Sequence, residues 1–423
     1  MKKKLAIFGL LLAAAFQTHA VEPSISQIVA RQRWPWNDEV DISFLVSGTN
    51  TDVKIVAQYD GVEPFTLAEK DLDGDFLGLA PGLHHVSWSP SRAGLSAATL
   101  KNFRIVSVEP DDTDRTYLVL NLFDGSYRYM SAPPAGGWLS DPAYYQTNMV
   151  FRRIPAGTSV LGLPDDLRTK VGGTSAYYAR SYTATVSSDY YLGVYPVMIG
   201  QHNYAMARAG GSVIDVSKEG ATIPSSAGSS YPYNSIRGSV ADGINWPATQ
   251  YEVSDGSYMA KYRAITRDTL PRGWIVDLPT AVQWERAARA TTPTNWLFSV
   301  GGTVDDSMET ITNLVNQIAT TKWNKGAGGT VVGQWAPNGW GLYDMVGLCF
   351  QWNIDWRAGD TSYYSGVDPV GPETGAHRMR RSYSVSASGA SIANCTTAYN
   401  STGNVTSGYH YRLCIHVKNI FKK

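Results

Sequence analysis

"NGWGLYDMVGLCFQWNIDW", Asn338 to Trp356, is the stretch on which the fold turns. It holds three Trp, one Tyr and three Gly. Aromatic side chains dominate cores and glycine supplies the backbone angles that tight turns need. The segment therefore reads as a buried element entered through turns. Leu348 and Gln351 are the odd positions: an apolar side chain and a neutral amide stand where a ligand-bearing turn would offer oxygen donors.

Working outward from this stretch, "LPTAVQWERAARA", Leu278–Ala290, predicts a helix behind a Thr280 cap, with Val282, Trp284 and Ala288 turned inward. "DGSYMAKYRAITRDTL", Asp255–Leu270, has a helical period as well. The remainder of this half is rich in glycine and aromatics and predicts short strands and ordered loops. Residues 22–108 read differently. "DEVDISFLVSG", "TDVKIVAQYDG" and "PGLHHVSWSP" alternate apolar and polar residues between glycine and proline turns. That spacing predicts an all-β, immunoglobulin-like or fibronectin-like sandwich with Trp34, Trp36 and Trp88 in its core. "DLDGDF", Asp71–Phe76, resembles a calcium loop but lacks the distal bidentate Glu of an EF-hand, so a solvated hairpin turn is expected. His84 and His85 are neighbours on a strand and face opposite ways, which argues against a shared metal. Residues 109–148 form a connection, with one strand in "RTYLVLNLF" and a Pro/Gly-rich stretch at 131–145.

The chain has 423 residues and a formal net charge of +0, with 17% charged residues. Sparse, balanced charge removes the electrostatic case for nucleic acid or an anionic membrane surface. Lys2–Lys4, the apolar run Leu5–Phe16 and the small residues before Ala20 read as a secretory signal, residues 1–20. Beyond it no segment is apolar enough to span a bilayer, which predicts a secreted, periplasmic or cell-surface protein without an integral membrane segment. Of the 3 cysteines, Cys395 and Cys414 flank one polar region and are the expected disulfide pair, with Cys349 a small buried residue.

Four segments in order resemble the formylglycine-generating enzyme, or sulfatase-modifying factor, family. "FRRIPAGTSVLG", Phe151–Gly162, resembles its opening strand and turn. "YYLGVYPVMIGQHNY", Tyr190–Tyr204, resembles the strand that usually reads Tyr-x-x-x-x-Glu-Val-Thr, with Pro196 at the Glu position. "LPTAVQWERAARA" resembles Leu-Pro-Thr-Glu-Ala-Glu-Trp-Glu-Tyr-Ala, with Ala281 at the first Glu. The opening stretch resembles Asn-x-Trp-Gly-Leu-Tyr-Asp-Met-x-Gly-Asn-Val-Trp-Glu-Trp. The resemblance implies an α+β protein: the N-terminal β unit followed by a loop-rich, C-type-lectin-like domain over 149–421.

In the family the turn of the opening stretch helps hold calcium; Leu348 replaces its Asn and Gln351 its Glu, so that site is expected to be weakened or absent. Family enzymes bind copper(I) through a cysteine pair shortly after Arg-Gly-Gly-Ser. Here "HRMRRSYSVSASGASIANCTTAYN" keeps Arg381 and Ser382, lacks the glycine pair and has no cysteine from Phe350 to Asn394. One late thiol, Cys395, cannot form the two-thiolate site, so copper chemistry is disfavoured and no cofactor is expected. His202, His377, His410 and His416 lack helical ligand spacing, which disfavours the family's iron branch. What remains is a binding module. From Ser382 to Tyr411 there is no Asp, Glu, Lys or Arg, and Ser, Thr, Asn and Tyr dominate. This is the composition of adaptable recognition loops. Tyr383, Tyr399, Tyr409, Tyr411, Asn400 and Ser382 are the candidate contacts to a protein or glycan. A sulfatase-cysteine oxidase and a structural surface protein are the alternatives, and an uncharged loop surface or strand pairing explains the same composition without a ligand.

Overall fold

The computed structural model describes residues 21–33, 35–96, 100–166, 180–209, 237–238, 253, 258–303, 305–320, 331–348, 350–358, 361–382, 400–403 and 409–418. The secretory signal expected at 1–20 lies outside them.

Alternation in the N-terminal sequence becomes one-sided burial. In the strand Val40–Ser47, Val40, Ile42, Phe44 and Val46 are buried and the residues between them are partly exposed. This strand belongs to a four-stranded antiparallel sheet, in the order Ser24–Gln32, Val40–Ser47, Gly82–Trp88, Leu72–Gly74. A second sheet places Asp52–Gln58 between Phe65–Thr66 and Arg104–Asp111. Both sheets contribute side chains to one hydrophobic core. Trp88 is fully buried and stacks on Phe103 with centroids 5.0 Å apart. Trp36, by contrast, is 86% exposed. It sits in the turn after the first strand, closed by a Trp36 N–H to Arg33 carbonyl bond, and has no sheet face beneath it. Trp34 lies outside the described residues. "DLDGDF" differs from a solvated turn too: Asp71 is buried, its carboxylate accepts from Lys70 at 2.8 Å, and its carbonyl accepts the Ser89 N–H at 3.0 Å.

The rest of the chain is mostly strand, with few helices. Its main sheet is antiparallel throughout, in the order Ile275–Asp277, Cys414–His416, Tyr190–Gly193, Asn148–Ile154, Tyr117–Asn121, Tyr127–Met130. The last two strands come from the stretch read as a connection, because Tyr117–Asn121 is apolar on both faces and pairs with Asn148–Ile154. A three-stranded sheet (Gly157–Leu161, Tyr182–Val186, Gly366–Val367) and a five-stranded one (Arg237–Gly238, Tyr409–His410, Gln351–Trp356, Arg378–Arg381, Asn400–Gly403) complete it. The expected helices form at Tyr258–Thr266 and Ala281–Arg289. Thr280 caps the second: its hydroxyl accepts the Gln283 N–H at 3.1 Å while the Gln283 side chain accepts the Thr280 N–H at 2.9 Å. Val282, Trp284 and Ala288 are all buried.

The N-terminal sheets are fused to the rest by a continuous core and by buried ion pairs. Phe76 stacks on Trp274 at 5.8 Å, and Trp274 packs on Tyr191. Arg153 clamps Asp52 with two bonds of 2.6 Å and reaches Asp189 at 2.6 Å. Arg115 joins Asp52, Glu69 and Asp111, and Glu69 also accepts the hydroxyls of Tyr127 and Tyr129. Deleting one member of a buried ion cluster leaves its partners charged and unsatisfied. Asp52→Ala is therefore expected to cost about 3 kcal/mol. Urea unfolding of wild type should be a single transition, since one core serves both parts; two separated transitions would contradict the shared core.

Candidate functional site

The site elements converge on the strand Gln351–Trp356, whose first five residues are buried. Three of those, Gln351, Asn353 and Asp355, are polar and lie on one face by strand periodicity. Each is met by the segment around the helix Ala281–Arg289. Gln351 Oε1 accepts from Trp284 Nε1 at 3.0 Å and from Arg412 Nε at 3.1 Å, while its Nε2 donates to the Asp344 carbonyl at 2.6 Å. Asn353 Nδ2 donates to the Pro279 carbonyl at 3.4 Å. Asp355 Oδ2 accepts the Ala281 N–H at 2.7 Å, so a carboxylate from a distant strand caps the helix beside Thr280. Burial pushes Asp355 up to about 7, against hydrogen bonding and the Arg381 and Arg378 charges. Burial likewise raises Asp344 to about 6, although the Gly333 N–H bonds its carboxylate.

Leu348 is 1% exposed and packs in an apolar cluster with Trp138, Val194, Met198 and Val332. Its backbone keeps φ of 56°, the left-handed region that Asn tolerates better than Leu. The turn thus combines a left-handed backbone with a side chain that belongs to the core. Gly347 before it, at φ 77°, has no room for a side chain: a Cβ would lie 2.6 Å from the Thr320 carbonyl oxygen. The Gln351 oxygen faces an arginine and an indole N–H, an environment that repels a cation. These two side chains do not fit a calcium site.

Ser382 meets the same turn, while Arg381 beside it reaches the helix Ala281–Arg289. Arg381 Nη2 lies 3.2 Å from Glu285, which also binds Arg289 at 3.0 Å, the Gly162 N–H at 2.8 Å and the Tyr182 hydroxyl at 3.1 Å. Burial alone would raise the Glu285 carboxyl, but Arg381 and Arg289 hold it below the usual range. Ser382 stands at φ 66°, a glycine-like conformation, and its hydroxyl donates to the Gly347 carbonyl at 2.8 Å.

The candidate contacts fall into three groups. Ser382 and Tyr411 are buried, at 0% and 1% exposure, and so belong to the interior rather than to an exposed face. The Tyr411 hydroxyl bonds His202 Nδ1 at 2.8 Å, and its ring stacks on Tyr258 at 4.9 Å. Burial lowers His202 to about 4. Asn400 and Tyr409 lie on strands, Asn400 opposite Arg381 and Tyr409 opposite Gly238. Tyr383 and Tyr399, like Cys349 and Cys395, lie outside the described residues. Cys414 corrects an expectation: it is a free, fully buried thiol rather than half of a disulfide. It occupies a strand flanked on both sides, opposite Leu192 and Asp277, and burial raises its pKa well above the ordinary value. His416 is tied inward as well, Nε2 donating to the Leu278 carbonyl at 3.0 Å and Nδ1 accepting from Gln283.

Sequence reading missed Glu285, Asp344, Asp355 and Arg412 as the polar skeleton of this region. Only the Glu285–Arg289 spacing of four residues carried a local signal. Among the described residues no group of three His, Cys, Asp or Glu is placed to hold a metal ion.

A mostly-strand α+β domain, built around a capped helix and a buried polar strand, is the class that this geometry defines. Residues 141–408 match the model of the sulfatase-modifying factor enzyme 1-like domain, and the chain belongs to that family. It is similar to the formylglycine-generating enzyme of Bos taurus, 29% identical over 107 residues, which are 25% of this chain and 28% of that protein. The enzyme of Thermomonospora curvata is 41% identical over 54 residues, 12% of this chain and 18% of that one. The chain thus spans less than a third of the curated relatives it matches. Among solved structures it is similar to PvdO from Pseudomonas aeruginosa, with TM-score 0.45, 16% identity and coverage of 63% and 94%. Treponema denticola variable protein 1 gives TM-score 0.45, 19% identity and coverage of 63% and 95%.

Two outcomes are expected. Gln351→Leu strands Trp284 Nε1, an Arg412 donor and the Asp344 carbonyl, and should lower stability by about 3 kcal/mol in denaturant titration. For Asp355 the folded pKa lies above the unfolded one. The native state therefore binds the extra proton, and stability falls as pH rises from about 4 to about 7. Asp355→Asn, which keeps an acceptor for Ala281, should gain stability relative to wild type at pH 8 and not at pH 4. An equal difference at both values would contradict the raised pKa.

Proposed function

We propose that this protein is an exported, non-catalytic binding module. In this reading residues 1–20 are a cleaved signal, 22–108 an immunoglobulin-like unit, 109–148 a connection and 149–421 the sulfatase-modifying-factor-like domain. The module recognises a protein or glycan through its C-terminal Tyr/Ser/Asn-rich segment. The observation that carries the reading is how that segment is held. Arg378–Arg381 pairs antiparallel with Asn400–Gly403, ending with Arg381 opposite Asn400. Ser382 on one side and Tyr411 on the other are anchored in the interior. An uncharged segment rich in Tyr, Ser, Thr and Asn is thus bracketed by rigid supports, an arrangement suited to recognition at low entropic cost. Buried Ser382 and Tyr411 act as anchors, leaving Tyr383, Tyr399, Asn400 and Tyr409 as contacts.

Non-catalysis is supported by sulfur chemistry. Copper(I) oxidation needs two thiolates, whereas this segment carries Cys395 alone and Cys414 is a protonated interior thiol. The Leu348 and Gln351 geometry supports the absence of calcium at that turn.

The test combines a binding screen and a metal assay on the same mature protein. Saturable binding to glycans or surface proteins, weakened at least tenfold by Tyr399→Ala and Tyr409→Ala with thermal stability kept, is expected. Stoichiometric copper(I) uptake with oxygen consumption on a cysteine peptide would replace this reading with an oxidase, and concentration-dependent self-association without ligand would replace it with a structural coat.

A further inference from the structure

The outer face of the N-terminal four-stranded sheet carries a concavity of ≈ 580 Å³. That volume is in the range of small-ligand sites, about 300–1,000 Å³. The strand register explains its lining. Arg31 lies opposite Asp41, Asp41 opposite Ser87, and Ser87 opposite Asp73, so one polar row crosses all four strands. At the usual strand spacing the row is about 14 Å long. A second row places Ser43 opposite His85.

Two backbone irregularities shape the hollow. The edge strand Ser24–Gln32 shifts register between Ser26 and Val29, with Gln27 at φ 52°. Such a bulge bends the strand. Gly74, at φ 117°, must be glycine, because a Cβ would lie 2.5 Å from the His85 carbonyl oxygen; the two strands approach closely beside Asp73.

The chemistry of the row is balanced. Arg31 and Arg33 face Asp41 and Asp73, two cations against two carboxylates. Arg33 is committed to Asp41 at 2.6 Å and Glu39 at 2.6 Å. Asp41 and Asp73 remain 47% and 48% exposed in their side chains, within reach of a ligand. The side chains of Arg31, Ser43, Ser87 and His85 make no hydrogen bond to the described residues. A phosphate-rich ligand would meet two carboxylates here, and a cation would meet two guanidinium groups. Hydroxyl groups satisfy both, since each donates to a carboxylate and accepts from an arginine or serine. Trp36, 86% exposed, lies in the turn that follows Arg33 and is not part of the lining. A row of alternating donors and acceptors of balanced charge suits a ligand that presents many hydroxyl groups.

We propose that this groove is a second binding site, for a neutral oligosaccharide long enough to lie across the four strands. It lies in a different part of the chain from the C-terminal segment, and its failure would leave the reading of that segment standing. The test is a glycan array of neutral and uronic-acid oligosaccharides, followed by calorimetric titration of the full mature chain. Neutral oligosaccharides should be retained, with affinity falling at least tenfold in Arg31→Ala and in Asp73→Asn, and unchanged in Tyr399→Ala. Arg31 is exposed and Asp73 is half-exposed, its nearest cation Arg272 lying 4.0 Å away, so the variants should keep the wild-type melting temperature. Retention of acidic glycans alone, no retention of any glycan, or retention untouched by both groove variants would overturn the site. Loss in Tyr399→Ala with the groove variants unaffected would assign the sugar to the C-terminal segment instead.

Discussion

Arg153 is the point at which the two halves of the molecule are held to one another. Its guanidinium takes both oxygens of Asp52 from the N-terminal sheets and one oxygen of Asp189 from the main sheet. Asp52 also accepts the Gly78 N–H, and Asp189 the Ala156 N–H, so each carboxylate is fixed by backbone before the arginine arrives. A planar fork matched to two preset carboxylates specifies orientation as well as attraction. The apolar contacts beside it, Phe76 on Trp274 and Trp274 on Tyr191, contribute burial without direction. Ion pairs decide how the halves meet, and aromatic burial stabilises the result.

A similar division of labour governs the strand Gln351–Trp356. Trp352 and Ile354 fill the core on one face. Gln351, Asn353 and Asp355 on the other would be costly to bury if left unmatched. They are met by Trp284, Arg412, the Pro279 carbonyl and the Ala281 N–H. The helix Ala281–Arg289 is thereby positioned by polar groups at its start and by Glu285 with Arg289 and Arg381 along its length. The departures from the family pattern fall on this frame without breaking it. Leu348 and Ser382 both hold left-handed backbone where smaller or more tolerant residues would be easier, and the Ser382 hydroxyl bonds the carbonyl of Gly347. The turn holds a left-handed backbone with side chains that offer no charged oxygen to a cation.

Ser382 and Tyr411 are anchored in the interior, and the sequence between them is uncharged and rich in hydroxyl and aromatic residues. At the opposite end of the sequence, the outer sheet face combines half-exposed carboxylates with uncommitted donors. The row across the sheet face sets two cations against two carboxylates, and the sequence from Ser382 to Tyr411 carries no Asp, Glu, Lys or Arg.

The sequence by itself determined the elements whose signals are local. The Thr280 cap, the inward faces of Val282, Trp284 and Ala288, the alternation of Val40–Ser47 and the four family motifs all depend on neighbours within a few residues. It also showed that Leu348 and Gln351 break the pattern. Tertiary structure alone decided what those breaks do, because the partners of Gln351 lie 67 and 61 positions away, at Trp284 and Arg412. For the same reason it alone placed Tyr411 beside His202, left Cys414 as a lone interior thiol, exposed Trp36 and joined the connecting strand Tyr117–Asn121 to the main sheet. Local periodicity encodes which face of an element turns inward, but the partner that meets that face arrives from elsewhere in the chain and no local pattern names it.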